Sequence, residues 1–320
     1  MAIIRGMGST SHFSKWTANR LIIVILVAQP TRAPNMKRLI LCLSVILFAV
    51  SSLYAQHGSD ELVIKDLKWD PKSPASFFEL NIPSGASKLQ GFIMTANGAE
   101  KHPTLLLLHG FPGNERNLDL AQVVRAHGWN VVYFDYRGSW GSQGKFNFKN
   151  CVEDVVNVVA WCKANAAKYK IDTANIALFG HSMGGFVCLK ALTYLPGVKK
   201  GFALSAWDIY QDVQRFKGPN RLQDIAKASG QYFVLNATSA ELFQPVINDP
   251  GYFNLHNAVN GLSKKQVIML DEMTANKGLA DDIKAHNKAY FDYEVWQTDH
   301  PFTNKRVSLM KKVLWFLDKK

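Results

Sequence analysis

A serine flanked by glycines has the spacing of a nucleophile in a strand-to-helix turn. Residues 176–185 read IALFGHSMGG, with an apolar, strand-prone run before Ser182 and a helix-prone run after it. Such a turn lifts the serine hydroxyl clear of the backbone, and Gly180 and Gly184 leave room for it. The following helix points its first N–H groups at the position where negative charge develops during acyl transfer. We therefore interpret Ser182 as a nucleophile; the alternative is a glycine-rich turn with an incidental serine.

A histidine near the end of the chain is placed to accept the serine proton. His300 lies in the segment TDHPF, between the last predicted strand and the last predicted helix. The chain has nine histidines, and no other follows the final predicted strand. His109 lies in a glycine turn that we expect it to stabilise by hydrogen bonding, because a general base must reach the serine from the other side of the reacting carbonyl. His300 is therefore the predicted general base.

Two backbone amides are candidates for an oxyanion hole. The third predicted strand ends in the sharp turn HGFPG at residues 109–113. The N–H of Phe111 in this turn, together with the N–H of Met183 directly after the predicted nucleophile, would face the developing oxyanion. Backbone groups suffice for this role, so no special side chain is required.

Three carboxylates could orient the imidazole. Asp271 stands at the carboxyl end of the seventh predicted strand, on the sheet edge where parallel sheets build their sites. Glu272 would point to the opposite face if the extended conformation continued, and Asp208 follows the sixth predicted strand. We therefore predict Asp271 as the acid, with Asp208 and Glu272 as alternatives. Asp299 is disfavoured, because a residue rarely folds back onto the ring of its neighbour in the chain.

The elements that must position these residues alternate along the chain. Short apolar or β-branched runs predict eight strands, the first two antiparallel and the others mostly parallel. Longer amphipathic runs predict four helices, and a polar segment at about residues 207–262, interrupted by prolines, predicts a small helical cap insertion. The fold class is therefore α/β, with a mostly parallel eight-stranded sheet and helices on both faces. The strands are at 77–82, 89–95, 104–108, 131–135, 176–179, 201–205, 267–270 and 293–297, and the helices at 118–127, 149–168, 183–195 and 303–317.

The N-terminal region has the pattern of an export signal. Met36-Lys37-Arg38 precede an apolar run at residues 39–50 and then small residues, which predicts a signal peptide cleaved near Ala55. We interpret Met36 as the start of translation; the alternative is an uncleaved anchor built from two apolar runs. The predicted organisation is an extension and signal at residues 1–55 and one catalytic domain at residues 56–320. Export places the protein in the periplasm or outside the cell, with membrane contact only through the signal or anchor.

Composition narrows the function classes. The formal net charge is +12, but six of the 37 Lys and Arg residues precede the first acidic residue, Asp60. The remaining 31 stand against 25 acidic residues without a basic stripe, which disfavours nucleic-acid binding. Four cysteines, Cys42 in the signal among them, lack metal-ligand spacing, so we expect neither a disulfide framework nor a metal site.

Four motifs carry a resemblance to a known superfamily. The segments HGFPG, FDYRGSWGSQG, GHSMGG and TDHPF resemble those of α/β-hydrolases, and FDYRGSWG is similar to the dipeptidyl or acylaminoacyl peptidase-like and dienelactone hydrolase-like branches. The resemblance implies a serine esterase or peptidase that cleaves a small-molecule or peptide ester or amide through an acyl-enzyme, without a cofactor. It also implies that the cap shapes the acyl pocket. The turn after the seventh predicted strand, which carries the acid in many relatives, departs from the family pattern. A catalytically silent binding protein is therefore an alternative, and an enzyme that transfers the acyl group to an alcohol or amine is another.

Overall fold

The structure is a computed structural model that describes residues 69–230 and 232–319. The predicted extension and signal peptide lie outside the described residues. Among the helices of the described residues, none is long and apolar enough to cross a membrane.

A single mostly parallel sheet organises the described part of the chain. Its eight strands are β1 Ser76–Ser84, β2 Ser87–Thr95, β3 His102–Leu108, β4 Asn130–Phe134, β5 Ile171–His181, β6 Lys200–Leu204, β7 Gln266–Asp271 and β8 Tyr290–Val295. They lie in the order β1-β2-β4-β3-β5-β6-β7-β8. The β1–β2 and β2–β4 pairs are antiparallel, and all the others are parallel. The predicted fold class is therefore confirmed.

Helices cover both faces of the sheet because the central strands are apolar on both sides. The helices are α1 Leu118–Ala126, α2 Phe148–Ala164, α3 Ala166–Tyr169, α4 Met183–Tyr194, α5 Ile209–Gln214, α6 Arg221–Ser229, α7 Ser239–Asn248, α8 Pro250–Phe253, α9 Lys277–His286 and α10 Arg306–Asp318. Leu106 and Leu178 point into the core beneath α2, α4 and the cap, whereas Leu107 and Phe179 point into the core beneath α1 and α10.

The segment between β6 and β7 is helical, as the polar composition predicts. It contains α5 to α8 and the 3₁₀ helix Leu255–Leu262. A capping box begins α7, in which Thr238 and Glu241 satisfy each other's backbone N–H groups. Phe243 and Phe253 from this insertion pack against Phe148 of α2, with ring centroids 5.8 and 6.5 Å away. Aromatic contacts therefore hold the cap against the main domain.

Two elements near the C-terminus differ from the sequence prediction. Helix α9, between β7 and β8, was not predicted; it buries only Leu279, Ala280 and Ile283 in an otherwise polar stretch, which gives a weak periodic signal. Strand β8 begins at Tyr290, three residues before the predicted start, because it pairs with β7 from Gln266 onwards. Long-range pairing rather than local pattern sets that boundary.

Candidate active site

Ser182 lies on the turn between β5 and α4, as expected. Its backbone has φ 58° and ψ −118°, a conformation that costs a non-glycine residue about 1–3 kcal/mol. Four backbone hydrogen bonds stabilise it. The Ser182 N–H donates to the Leu204 carbonyl at 2.8 Å, and the Ser182 carbonyl accepts from the N–H groups of Gly185, Trp207 and Phe186 at 2.8, 2.9 and 3.3 Å. The surrounding backbone therefore holds the serine in a strained position at the carboxyl edge of the sheet.

The two glycines of the motif are required by close backbone contacts. A Cβ on Gly180 would lie 1.9 Å from the Gly184 carbonyl oxygen, and a Cβ on Gly184 would lie 2.0 Å from that of Leu108. A Cβ on Gly110 would lie 3.2 Å from the Ser182 Cβ, so the predicted oxyanion turn runs beside the serine. The sequence spacing thus reflects steric necessity.

The two proposed oxyanion donors come from two neighbouring segments, the turn after β3 and the first residue of α4. Phe111 follows Gly110 and forms a cis peptide bond with Pro112, and Met183 is the first residue of α4. Among the described residues, the structure records no protein acceptor for the N–H of Phe111 or Met183. Trp140 donates from its indole nitrogen to the Pro112 carbonyl at 2.7 Å and fixes the turn.

His109 is bonded within the same turn. Its Nδ1 donates to the Gly110 carbonyl at 2.8 Å, and its side chain is fully buried. Burial lowers the pKa of His109 to about 4, so the imidazole is neutral at physiological pH. These contacts agree with the expectation that His109 stabilises the turn.

His300 is paired with a carboxylate, and that carboxylate is Glu272. The Nδ1–H of His300 donates to Glu272 Oε1 at 2.7 Å, and the Ser205 hydroxyl donates to Glu272 Oε2. The His300 side chain is 49% exposed, whereas Glu272 is only 12% exposed. Burial favours a higher pKa for Glu272, but the hydrogen bonds from His300 and Ser205 outweigh it and lower this pKa to about 2. Glu272 is therefore ionised at neutral pH and favours the Nδ1–H tautomer of His300.

The expectation that Asp271 contacts the imidazole is wrong. Its carboxylate accepts from the Tyr293 hydroxyl at 3.0 Å and from the Asn276 amide at 3.2 Å, and burial raises its pKa to about 7. Strand β7 ends at Asp271, so the strict alternation that would turn Glu272 away from the site stops there. The end of the strand was the signal that the sequence argument overlooked.

The other two carboxylates have local structural contacts. Asp208 is the N-cap of α5, where its side chain accepts from the Gln211 N–H at 2.8 Å. Asp299 accepts from the Thr303 N–H at 2.7 Å and shapes the loop after β8. The structure therefore shows no contact of either carboxylate with the His300 ring among the described residues.

Sequence reasoning missed His181, which touches His300 twice. The Nε2 of His181 donates to the His300 carbonyl at 2.9 Å, and the two ring centroids are 4.7 Å apart. The next carbonyl, that of Pro301, accepts from Arg306 at 3.1 Å. The backbone around His300 is thus fixed at two successive carbonyls. Adjacency to Ser182 was the only signal in the sequence.

Aromatic side chains surround the predicted oxyanion turn on the cap side. The ring centroid of Phe111 lies 4.7 Å from that of Tyr232 and 5.8 Å from that of Trp207, whose N–H is bonded to Ser182. The space next to the serine is therefore bordered by apolar rings.

Metal-ligating side chains do not cluster in the described part of the chain. No group of three or more His, Cys, Asp or Glu residues there could hold a metal ion. Cys151, Cys162 and Cys188 are buried free thiols.

The fold and the elbow at Ser182 define an α/β-hydrolase. The model of the X-Pro dipeptidyl-peptidase (S15) family matches residues 85–301, which include the elbow, the cap and His300. The chain therefore belongs to this family and is a hydrolase.

Similarity to individual proteins is more limited. Over 89 residues, 27% of this chain, it is 33% identical to the lysophosphatidylserine lipase ABHD12 of Rattus norvegicus, and the match spans only 21% of that protein's length. The Pyrococcus furiosus esterase Pf2001 is 19% identical with a TM-score of 0.55, covering 78% of this chain and 95% of the esterase. Est1E from Butyrivibrio proteoclasticus, solved with ferulic acid, is 17% identical with a TM-score of 0.57. The match covers 75% of this chain and 100% of Est1E. At these identities the two structures establish the fold alone.

Proposed function

We propose that this hydrolase is a serine enzyme that cleaves an ester or amide bond through an acyl-enzyme intermediate. The observation that carries the proposal is the 2.7 Å hydrogen bond from His300 Nδ1 to Glu272, next to the strained elbow of Ser182. This bond leaves Nε2 as the proton-accepting atom of His300. A carboxylate, an imidazole in this tautomer and a partly exposed serine are the components of acyl transfer.

The chemistry follows from these positions. Ser182 Oγ attacks the substrate carbonyl carbon while His300 Nε2 takes the hydroxyl proton, and Glu272 stabilises the imidazolium. The N–H groups of Phe111 and Met183 donate to the oxygen that becomes negative. Collapse of the tetrahedral intermediate breaks the bond to the leaving group, which takes the proton from His300. Water then attacks the acyl-enzyme in the same way and releases the acid and the free serine.

The borders of the site favour an apolar acyl group. Phe111, Trp207 and Tyr232 lie on the cap side of the turn and offer ring surfaces for burial. We infer a small-molecule or peptide substrate, with water as acceptor; transfer to an alcohol or amine would use the same acyl-enzyme.

A catalytically silent binding protein is the rival proposal. The segment after β7 departs from the family pattern, which favours lost catalysis. Glu272 in that segment nevertheless supplies a carboxylate to His300. A silent scaffold would have no need of a buried carboxylate beside an exposed imidazole. The observed pair therefore favours catalysis.

A fluorophosphonate probe tests the proposal directly. We expect rapid labelling of the wild-type protein, with the label on the peptide that contains Ser182, because an activated serine reacts quickly. Ser182→Ala should abolish labelling and turnover of p-nitrophenyl esters while preserving the circular dichroism spectrum. Ser229→Ala is the matched control, because the Ser229 hydroxyl bonds to the Ile225 carbonyl within α6. Full esterase activity in Ser182→Ala would refute the proposal.

A further inference from the structure

His181 precedes the proposed nucleophile in the chain and contacts the proposed base. It is the residue before Ser182 and the last residue of β5, and only 3% of its surface is exposed. Its Nε2–H reaches the His300 carbonyl at 2.9 Å, across 119 residues of sequence. Its ring also lies against the His300 ring, with an interplanar angle of 37°. One side chain therefore connects the elbow to both the backbone and the ring of His300.

We propose that His181 is a positioning residue that holds His300 in line with Ser182 through its hydrogen bond to the His300 carbonyl and its ring contact. This inference rests on the proposed function. His300 is half exposed, so burial alone does not fix its side chain. Glu272 restrains Nδ1, and the His181 ring lies beside the imidazole, with its centroid 4.7 Å away. Together these contacts limit the rotation of the ring that would carry Nε2 away from the serine.

The charge state of His181 suits this position. Burial and the neighbouring His300 lower the pKa of His181 to about 4, so its ring is neutral at physiological pH. Its Nδ1 is buried without a hydrogen-bond partner in the described part of the chain, which agrees with a neutral ring protonated at Nε2. Glu272 and Arg306 are the other charged groups that act on it. A neutral neighbour does not repel the imidazolium that His300 becomes during the reaction.

Two substitutions separate the hydrogen bond from the bulk of the side chain. His181→Leu keeps the volume but removes the donor, whereas His181→Gln retains an N–H donor at a similar reach. His102→Leu is the matched control, because His102 is also buried and its Nδ1 bonds to the Gly128 carbonyl at 3.0 Å. The readouts are the fluorophosphonate labelling rate, kcat and KM for a p-nitrophenyl ester, and the thermal unfolding midpoint.

We expect His181→Leu to lower kcat and the labelling rate by about 10- to 100-fold with little change in KM, because a small misplacement of a catalytic group has that cost. His181→Gln should recover most of the loss, and His102→Leu should retain wild-type kcat. Wild-type rates in His181→Leu, or equal losses in His181→Leu, His181→Gln and His102→Leu, would overturn the positioning role while leaving the serine mechanism intact. Failure of the wild-type protein to label at Ser182 would overturn both proposals.

Discussion

The Nδ1 atom of His300 lies 2.7 Å from Glu272 Oε1, and these two residues come from the loops after β8 and β7. The pair is 28 positions apart in the chain and meets because β7 and β8 are parallel neighbours whose carboxyl ends share one edge of the sheet. Ser205, directly after β6, donates to the other oxygen of the same carboxylate. Three consecutive strands of the sheet therefore contribute to the orientation of one imidazole.

The acid assignment predicts different effects for two neighbouring substitutions. Glu272→Gln should reduce kcat by up to about 10⁴, because the amide no longer favours the Nδ1–H tautomer or stabilises the imidazolium. Asp271→Asn should retain nearly wild-type kcat, since its carboxylate bonds Tyr293 and Asn276 instead. Ester hydrolysis by the two purified variants measures the difference. An inactive Asp271→Asn beside an active Glu272→Gln would contradict the assignment.

The close contacts of the elbow predict a severe loss of stability on adding one methyl group. Gly180→Ala should destabilise the protein by more than about 3 kcal/mol, because the new Cβ would lie 1.9 Å from a backbone oxygen. Gly278→Ala in α9 is the control: its Cβ would meet nothing within 4 Å, so we expect a gain of about 0.5–1 kcal/mol. Urea unfolding measures both changes, and a Gly180→Ala protein as stable as the wild type would contradict the steric requirement for Gly180.

The raised pKa of Asp271 predicts a pH-dependent difference between the wild-type protein and Asp271→Asn. Burial moves this pKa from 3.8 to about 7, so the folded state holds a proton that the unfolded state loses between about pH 4 and pH 7. The contribution of Asp271 to stability is therefore full below pH 4 and is lost as the pH rises to about 7.

The free energy of unfolding of Asp271→Asn, relative to the wild type, should accordingly increase from pH 4 to pH 7 by up to a few kcal/mol and then level off. The buried His109 and His181 act in the opposite direction in this range, but they do so in both proteins and cancel in the difference. Urea unfolding at several pH values provides the test. A difference that stays constant across this range would show that Asp271 ionises normally.

Export predicts a processed N-terminus. If the segment that begins at Met36 is a signal peptide, the mature chain begins near Gln56, after the small residue Ala55. Cell fractionation followed by N-terminal peptide mass spectrometry would detect this end in the exported fraction. Recovery of intact residues 1–35 in the membrane fraction would instead support the anchor.

The sequence by itself determined the succession of strands and helices along the chain, the helical cap and the elbow at Ser182. Each depends on a local pattern: an apolar run of strand length, a helical repeat, or glycines at positions where a side chain would collide with the backbone. The location of His300 could also be predicted, because its place after the last strand follows from the order of elements along the chain.

Only the tertiary structure decided which carboxylate reaches His300 and which residue lies against its ring. Glu272, Ser205 and His181 come from the ends of three different strands, and their contacts depend on strand pairing over tens of residues. The prediction based on alternation fails after β7 because the strand ends at Asp271 and the alternation stops there. Helix α9 was missed for a related reason: it is stabilised by packing three apolar residues against the rest of the domain, and that contribution is invisible in a polar ten-residue segment.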